Sequence, residues 1–355
     1  MGTDTQQQRP MRVVSLFAGC GGMDLGFEAA RLPDGRPAFH VVWANERDTR
    51  AHATYRRNFP AATLDPRPIG EVGAESIPAC DGVIGGPPCQ PFSSNGSRRG
   101  TDDPRGQMAF EFVRVVRAKR PRFFVLENVP ALAQARYRGA FDRIVADFRE
   151  LGYRVRADVL CAADHGVAQT RKRLFVVGVR ADLPGAYVPP SPVPVSRRPT
   201  LRDAVGDLEA SAVASDAWAS ADPPVNAHEH VPVGCVRLSR WFMSNQRLRG
   251  WDEPSYTIPA SVTSLPFHPS APKLVRDRAR EAKGDRPLFV RVPPVSAYRK
   301  FTARECARIQ GFPDSYVFLY DRMTAVHRMI GNAVPPPLAT AVATAVAEAV
   351  GTTTS

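Results

Sequence analysis

The sequence lacks paired cysteines and long apolar runs. Its six cysteines are dispersed and none forms a Cys-x-x-Cys pair, which argues against a zinc ribbon and a disulfide framework and favours a reducing cytoplasm. The N-terminal stretch MGTDTQQQRP has no apolar signal core, and no uninterrupted run of 18 apolar residues occurs. Neither secretion nor a membrane span is therefore predicted.

Acidic residues are also in short supply. The chain has 35 of them against 47 lysines and arginines, which gives a net charge of +12 and a pI near 9.9. A polyanion such as nucleic acid is the natural partner of such a surface. The length of 355 residues allows one large domain and a smaller one.

The first half of the chain alternates β-rich runs with amphipathic stretches, which predicts an α/β fold with a doubly wound sheet. The predicted strands are Val13–Phe17, His40–Ala44, Val83–Gly85, Phe123–Leu126, Tyr153–Val159 and Leu174–Val179. The predicted helices are Asp24–Ala30, Thr49–Asn58, Gln107–Ala118 and Ala140–Leu151.

Prolines crowd residues 181–200 and break the regular pattern. We therefore predict a first domain over 1–184, a loop-rich module over 185–295 and a regular C-terminal segment over 296–355. In that last segment Thr302 and Glu305 form a capping-box signature that predicts a helix through Ile309, and a final helix is expected over Leu338–Val350.

A glycine-rich loop follows the first predicted strand. Gly19, Gly21 and Gly22 would let the backbone approach a ligand at a helix N-terminus. Glu46, which follows the second strand, is placed to bind ribose hydroxyls. The loop has no lysine for phosphate, which favours a nucleoside such as S-adenosylmethionine, although an ordinary glycine-rich turn is the alternative. Phe17 is either a core residue or a stacking face for adenine.

Two chemical groups follow other predicted strands. Cys89 stands between Pro88 and Pro91 on a stiff turn, and Glu127 ends the strand Phe123–Leu126. Because the carboxyl ends of parallel strands share one edge, both can meet in one crevice, where a thiolate and an acid suit addition to an electron-poor ring. The alternatives are an inert buried thiol and a turn-capping carboxylate.

Arg171 and Arg173 precede the last predicted strand of this domain. They share one face of an extended segment, because alternate residues do. They could hold a phosphate or a base, or orient Glu127. A solvated charge cluster is the alternative.

These motifs together resemble the bacterial-type DNA (cytosine-5)-methyltransferases, the C5-methyltransferase family. The matching blocks, in chain order, are FAGCGGMDLGF, ANERD, GGPPCQPFS, ENV, QTRKRLFVVG, RECARIQGFPD and IGNAVPPP. The resemblance implies a class I, Rossmann-like methyltransferase domain with a mostly parallel sheet. It also implies that 185–295 is a target-recognition domain and that 296–355 returns to the catalytic domain.

The resemblance implies a role for each catalytic residue. Cys89 would attack C6 of a cytosine flipped out of the duplex, and Glu127 would engage N3. Arg173 would contact the base and Arg171 would support the site. The cytosine would then take its methyl group at C5, and loss of the C5 proton would expel Cys89.

Further residues are implied for the cofactor and for DNA. The cofactor residues would be Phe17, Ala18, Gly19, Cys20, Gly21, Gly22, Glu46, Arg47, Asp65, Pro88, Asn332 and Val334. The DNA-binding residues would be Gln90, Ser93, Asn95, Arg98 and Thr257. Arg47 replaces an aromatic residue of some members, and Asn95 replaces a small hydroxyl residue. Asn332 is expected in an isolated Gly-Asn turn before the last helix.

The predicted function is therefore methylation of cytosine C5 in a specific duplex DNA sequence, with S-adenosylmethionine as methyl donor and no metal. The resemblance further suggests a monomeric modification methylase with a cognate restriction endonuclease as functional partner, and no membrane association. The alternatives are a tRNA cytosine-5 methyltransferase and a DNA-binding homologue without catalysis.

Overall fold

The computed structural model describes residues 9–88, 107–211, 213–214, 229–230, 248–276, 278, 289–290 and 298–351. Its centre is a seven-stranded sheet in the order β3-β2-β1-β4-β5-β7-β6. The strands are β1 Met11–Leu16, β2 Phe39–Asn45, β3 Thr63–Asp65, β4 Gly82–Gly85, β5 Phe123–Asn128, β6 Tyr153–Cys161 and β7 Lys172–Arg180. Pairs among β1 to β5 are parallel, and β7 runs antiparallel to both of its neighbours. The predicted mostly parallel α/β sheet is confirmed.

Helices cover both faces of this sheet. They are α1 Gly22–Ala29, α2 Thr49–Asn58, α3 Met108–Lys119, α4 Arg138–Glu150, α5 Leu201–Val205, α6 Ala303–Ile309, α7 Met323–Asn332 and α8 Pro336–Gly351. Val14 of β1 packs in the cluster of α3 and α4, while its neighbour Val13 packs in the cluster of α1 and α8. The strands are apolar on both faces because helices bury both.

The C-terminal helix α8 is a core element. Among the described residues, Met323–Gly351 is the stretch long and apolar enough to span a membrane by composition; its most apolar window has a mean hydropathy of 1.3, and 72% of that window is buried inside the protein. Leu338 and Val346 of α8 are fully buried in the cluster that includes β1 and α1. The apolar composition is thus accounted for by packing against the sheet.

We expect substitution of Gly26 by alanine to destabilise the protein. A Cβ at this position would lie 2.4 Å from the Cβ of Ala339 and 2.7 Å from the carbonyl oxygen of Pro336, so α1 and α8 would have to separate. The expected loss in unfolding free energy is about 1–3 kcal/mol, measurable by urea denaturation. Gly139→Ala is the matched control, because a Cβ there would meet nothing within 4 Å; an equal loss in that variant would contradict the packing explanation.

The expected isolated turn at Gly331 and Asn332 is wrong, because both residues belong to the last turn of α7. A Cβ on Gly331 would lie 2.3 Å from the carbonyl oxygen of Pro259. The glycine is therefore needed for a close backbone approach rather than for a turn. The sequence pattern also did not predict α7, β3 and α5, the last of which is capped by Thr200 and Asp203 in a proline-rich region.

Within 185–295 the described residues form few regular elements. Two short ladders pair Val213–Ala214 with Glu229–His230 and Val275–Arg276 with Phe289–Val290. Ile258 and Leu265 nevertheless pack in one apolar cluster with residues of α6 and α7. The division of the chain into domains stays a prediction.

Candidate active site

The five parallel strands β1 to β5 end at one edge of the sheet, where the strand order reverses between β1 and β4. Ligands bind at such a reversal in open α/β sheets. The loop after β1 turns sharply, because Phe17 has a left-handed φ of 56°, which is uncommon for a residue other than glycine. Phe17 is half-buried and packs against the core on one side. Its conformation directs the chain into the glycine loop.

The glycine loop and Glu46 form a cradle. The Gly19 N–H donates to Oε2 of Glu46 at 2.8 Å, and the Asp48 N–H donates to Oε1 at 2.6 Å. These hydrogen bonds lower the pKa of Glu46, but burial raises it by more. Gly19 has a φ of 57° and open space where a Cβ would point. Each carboxylate oxygen retains acceptor capacity for a hydroxyl, so the cradle fits the ribose of a nucleoside.

The C-terminal segment closes the cradle. A Cβ on Gly22 would lie 2.5 Å from the carbonyl oxygen of Val334, so the buried Val334 contacts the first turn of α1. Asn332 is exposed two residues earlier. Two segments that are far apart in the chain, the first turn of α1 and the residues after α7, therefore meet here. Cys20 turns its thiol inward to the carbonyl oxygen of Met329 at 3.5 Å, and burial raises its pKa to about 12.

Of the remaining cofactor candidates, Arg47 and Asp65 adjoin Glu46. Arg47 is exposed. The carboxylate of Asp65 forms an ion pair with Arg67 at 2.6 Å, which lowers the pKa of Asp65. The backbone carbonyl oxygen of Asp65 accepts a hydrogen bond from the Glu46 N–H at 3.2 Å. Pro88 is half-buried beyond the end of β4. Asp65 is thus adjacent to the cradle, with its carboxylate already engaged by a cation.

Asp24 lies beneath the cradle in a fully buried network that sequence reasoning missed. Its carboxylate accepts from the hydroxyl of Tyr55 at 2.7 Å and from that of Ser15 at 3.0 Å. Burial raises the pKa of Asp24 from 3.8 to about 6, although both hydrogen bonds oppose the shift. This acid therefore ties α1 to Ser15 of β1 and to Tyr55 of α2.

We expect Asp24→Asn to change how stability depends on pH. The folded-state pKa of Asp24 is about 6 against an ordinary 3.8, so its protonation stabilises the fold fully below pH 3.8 and this contribution is lost as pH rises through 6. The loss amounts to about 3 kcal/mol. Urea unfolding of both proteins at pH 4.5 and 7 should show the variant gaining relative to the wild type at pH 7, whereas an equal difference at both values would contradict the assignment.

Glu127 is the predicted acid of the reaction centre. Its side chain lies at the end of β5, is 10% exposed, and pairs with Nε of Arg173 at 2.9 Å. Burial raises the pKa of Glu127, while the charges of Arg173 and Arg171 lower it. Burial has the larger effect, so this carboxyl group retains a proton to higher pH than an ordinary glutamate.

The loop after β4 is held against Glu127. A Cβ on Gly86 would lie 2.9 Å from Oε2 of Glu127, so glycine leaves room for the carboxylate. Nδ2 of Asn128 donates to the carbonyl oxygen of Pro87 at 3.2 Å. Sequence reasoning assigned no role to Gly86 or Asn128, although the second glycine of Gly-Gly-Pro-Pro was a signal for such an approach. The chain is thereby fixed beside the acid just before Cys89.

Arg171 and Arg173 have different surroundings. Arg171 is 1% exposed and donates to the carbonyl oxygens of Ile258 at 3.2 Å and Gly331 at 2.9 Å. It ties the segment that carries the half-buried Thr257 to the end of α7. Arg173 is instead partly exposed and pairs with Glu127.

Five predicted residues lie outside the described residues. They are Cys89, Gln90, Ser93, Asn95 and Arg98. Their assigned roles stay predictions.

The sheet order, the glycine cradle and the acid at the end of β5 define a class I S-adenosylmethionine-dependent methyltransferase. Residues 11–348 match the family of C-5 cytosine-specific DNA methylases, and the chain belongs to that family. Its methyl donor is S-adenosylmethionine and its substrate is DNA. The sequence-based prediction of this family and activity is confirmed.

Sequence similarity to known methyltransferases extends over nearly the whole chain. The chain is 40% identical to the type II methyltransferase M.NgoPII of Neisseria gonorrhoeae over 344 residues, covering 95% of each. It is 38% identical to M.FnuDI of Fusobacterium nucleatum, covering 95% of this chain and 94% of that one. Among solved structures, a prophage-encoded DNA modification methyltransferase of E. coli superposes with a TM-score of 0.72 at 23% identity, covering 96% of this chain and 99% of that one.

Proposed function

We propose that the protein is a modification methylase that transfers a methyl group to C5 of one cytosine in a specific duplex DNA sequence. The observation that carries this proposal is the buried Glu127, paired with Arg173 and in contact with the loop that leads to Cys89. A nucleophile and an acid on one edge are what addition to a pyrimidine ring requires.

Cys89 and Glu127 would act together on the ring. As Sγ of Cys89 bonds to C6, the electrons of the C5–C6 double bond move through C4 to N3, which takes a proton from Glu127. C5 thereby becomes nucleophilic and accepts the methyl group. The sulfonium sulfur is left as a neutral thioether, and N3 returns its proton to Glu127. A base such as water then takes the C5 proton, and the electron pair of that bond restores the C5–C6 double bond and expels Sγ of Cys89 as a thiolate. Arg173 would orient Glu127 and contact the base.

The cradle residues would hold the donor. Glu46 would bind the ribose hydroxyls and Phe17 would stack on adenine, with the backbone of 18–22, Pro88 and the C-terminal Asn332 and Val334 completing the pocket. Arg47 and Asp65 would border it. Bound S-adenosylmethionine supplies an electrophilic methyl group on a sulfonium, and no metal takes part.

DNA contacts would come from both sides of the flipped base. Gln90, Ser93, Asn95 and Arg98 would close over the duplex, and Thr257 would approach the base from the recognition segment. Extrusion of the base costs on the order of a few kcal/mol, which these contacts must offset. The relatives named as type II methyltransferases support a place in a restriction–modification system with a cognate endonuclease. We further propose that the protein is a cytoplasmic monomer.

The proposal is tested by methyl transfer to unmethylated duplex DNA. We expect incorporation from labelled S-adenosylmethionine that survives chelators, and base-resolution sequencing of DNA from an expressing host should reveal one methylated motif. A tRNA substrate is the comparison for the alternative activity. Transfer to tRNA with none to duplex DNA would contradict the proposal, as would binding of DNA without any transfer.

A further inference from the structure

Two buried amides that the proposed mechanism does not use lie between the cofactor side and the base side. Gln169 and Gln310 are both fully buried. Nε2 of Gln169 donates to Oε1 of Gln310 at 2.5 Å. A buried amide pair of this kind is stable only when both of its ends are satisfied.

The orientation of each amide is determined by the other. Nε2 of Gln310 donates to the carbonyl oxygens of Ile330 at 3.0 Å and Ala333 at 2.7 Å. Its oxygen must therefore face Gln169, whose amide nitrogen donates to it. The oxygen of Gln169 is left to accept from the N–H of Ile258 at 2.9 Å. The hydrogen bonds run in one direction from Ile258 to the end of α7.

Both ends of this chain of hydrogen bonds hold residues of the proposed sites. Ile258 directly follows Thr257, and the carbonyls of Ile330 and Ala333 flank Asn332. Arg171 runs alongside and binds the carbonyl oxygen of Ile258, so the N–H and the C=O of Ile258 are both fixed. The Thr257 segment is thus held to α7 and to the strand that begins near Arg173.

We infer that Gln169 and Gln310 are positioning residues for methyl transfer. Gln169 sets the position of the Thr257 segment against Glu127 and Arg173, and Gln310 sets in addition the end of α7 at the cofactor. This inference rests on the proposed function. Neither side chain needs to touch substrate, because each acts through the backbone it holds.

The roles of Gln169 and Gln310 can be distinguished with variants of the full-length protein. Gln169→Met removes the bond to Ile258 but leaves both bonds of Gln310 to α7. We expect its kcat on unmethylated duplex DNA to fall about 10-fold or more, the effect of leaving buried partners unpaired, while its Kd for S-adenosylmethionine stays within about twofold. Gln310→Met releases α7 as well, so both its kcat and its cofactor affinity should fall.

Two further variants separate positioning from simple destabilisation. Ile144→Val alters a residue that is 1% exposed on α4 and should lower thermal stability without changing kcat. Gln169→Asn keeps a polar amide but is one methylene too short to reach both Ile258 and Gln310, so its kcat should fall as well; it decides the question if the methionine variant does not fold.

The outcomes are distinct. A wild-type kcat in Gln169→Met or, where that variant does not fold, in Gln169→Asn would overturn the inference, as would an equal loss of cofactor affinity in Gln169→Met and Gln310→Met. A wild-type protein that methylates no duplex DNA would instead overturn the proposed function.

Discussion

Cys89→Ala is expected to abolish methyl transfer, with a loss in kcat on the order of 10⁴-fold or more, as for other covalent nucleophiles. Alanine cannot form the bond to C6, and without that bond C5 does not become nucleophilic. Binding of DNA and of S-adenosylmethionine should persist, because the cradle around Glu46 does not depend on the thiol. Steady-state methyl transfer and two binding titrations measure these effects.

A covalent trap provides an independent readout of the same step. DNA with fluorine at C5 of the target cytosine should accumulate a protein adduct, because fluorine cannot leave as a cation in the last step. Cys89→Ala should form none. Cys80→Ala is the matched control, since burial raises the pKa of Cys80 to about 12 and makes it a poor nucleophile. Residual transfer in Cys89→Ala above about 1% of the wild-type rate would contradict covalent catalysis.

The sheet and the positions of its functional groups were predictable because the early strands are apolar runs bounded by glycine and proline. The edge shared by Glu46 and Glu127 follows from parallel pairing alone. What the pattern did not contain was contact between distant segments. Gly331 looked like a turn residue, whereas the structure places it against the backbone of Pro259.

Polar side chains were the least predictable part of the site. Asp24 and Glu127 are both carboxylates close to a strand end, yet one is sealed in a hydroxyl network and the other pairs with Arg173. Arg171 and Arg173 share a motif, yet only Arg171 is buried against backbone carbonyls. Burial and partners decide such roles, and both come from residues far away in the chain.

Glu127→Gln is expected to reduce kcat about 10²- to 10⁴-fold, with the Kd for S-adenosylmethionine unchanged. Glutamine preserves the volume and can still accept from Arg173, but it has no proton to give to N3. Glu28→Gln is a suitable control, because Glu28 binds the N–H of Val41 at 2.8 Å near the opposite edge of the sheet. A kcat within about threefold of the wild type for Glu127→Gln would contradict a role as proton donor.

The pH profile separates proton donation from mere orientation of the base. Because the protonated form of Glu127 is the donor, its contribution is lost as pH rises through its pKa. Arg173 lowers that pKa, so Arg173→Ala should move the alkaline limb to higher pH even though its maximal kcat falls with the lost contact to the base. If Glu127 instead only oriented the base as an ionised group, activity would increase as pH rises through the pKa of Glu127. Arg173→Ala would then move this acid limb of the profile to higher pH. The limb that moves therefore identifies which protonation state of Glu127 works.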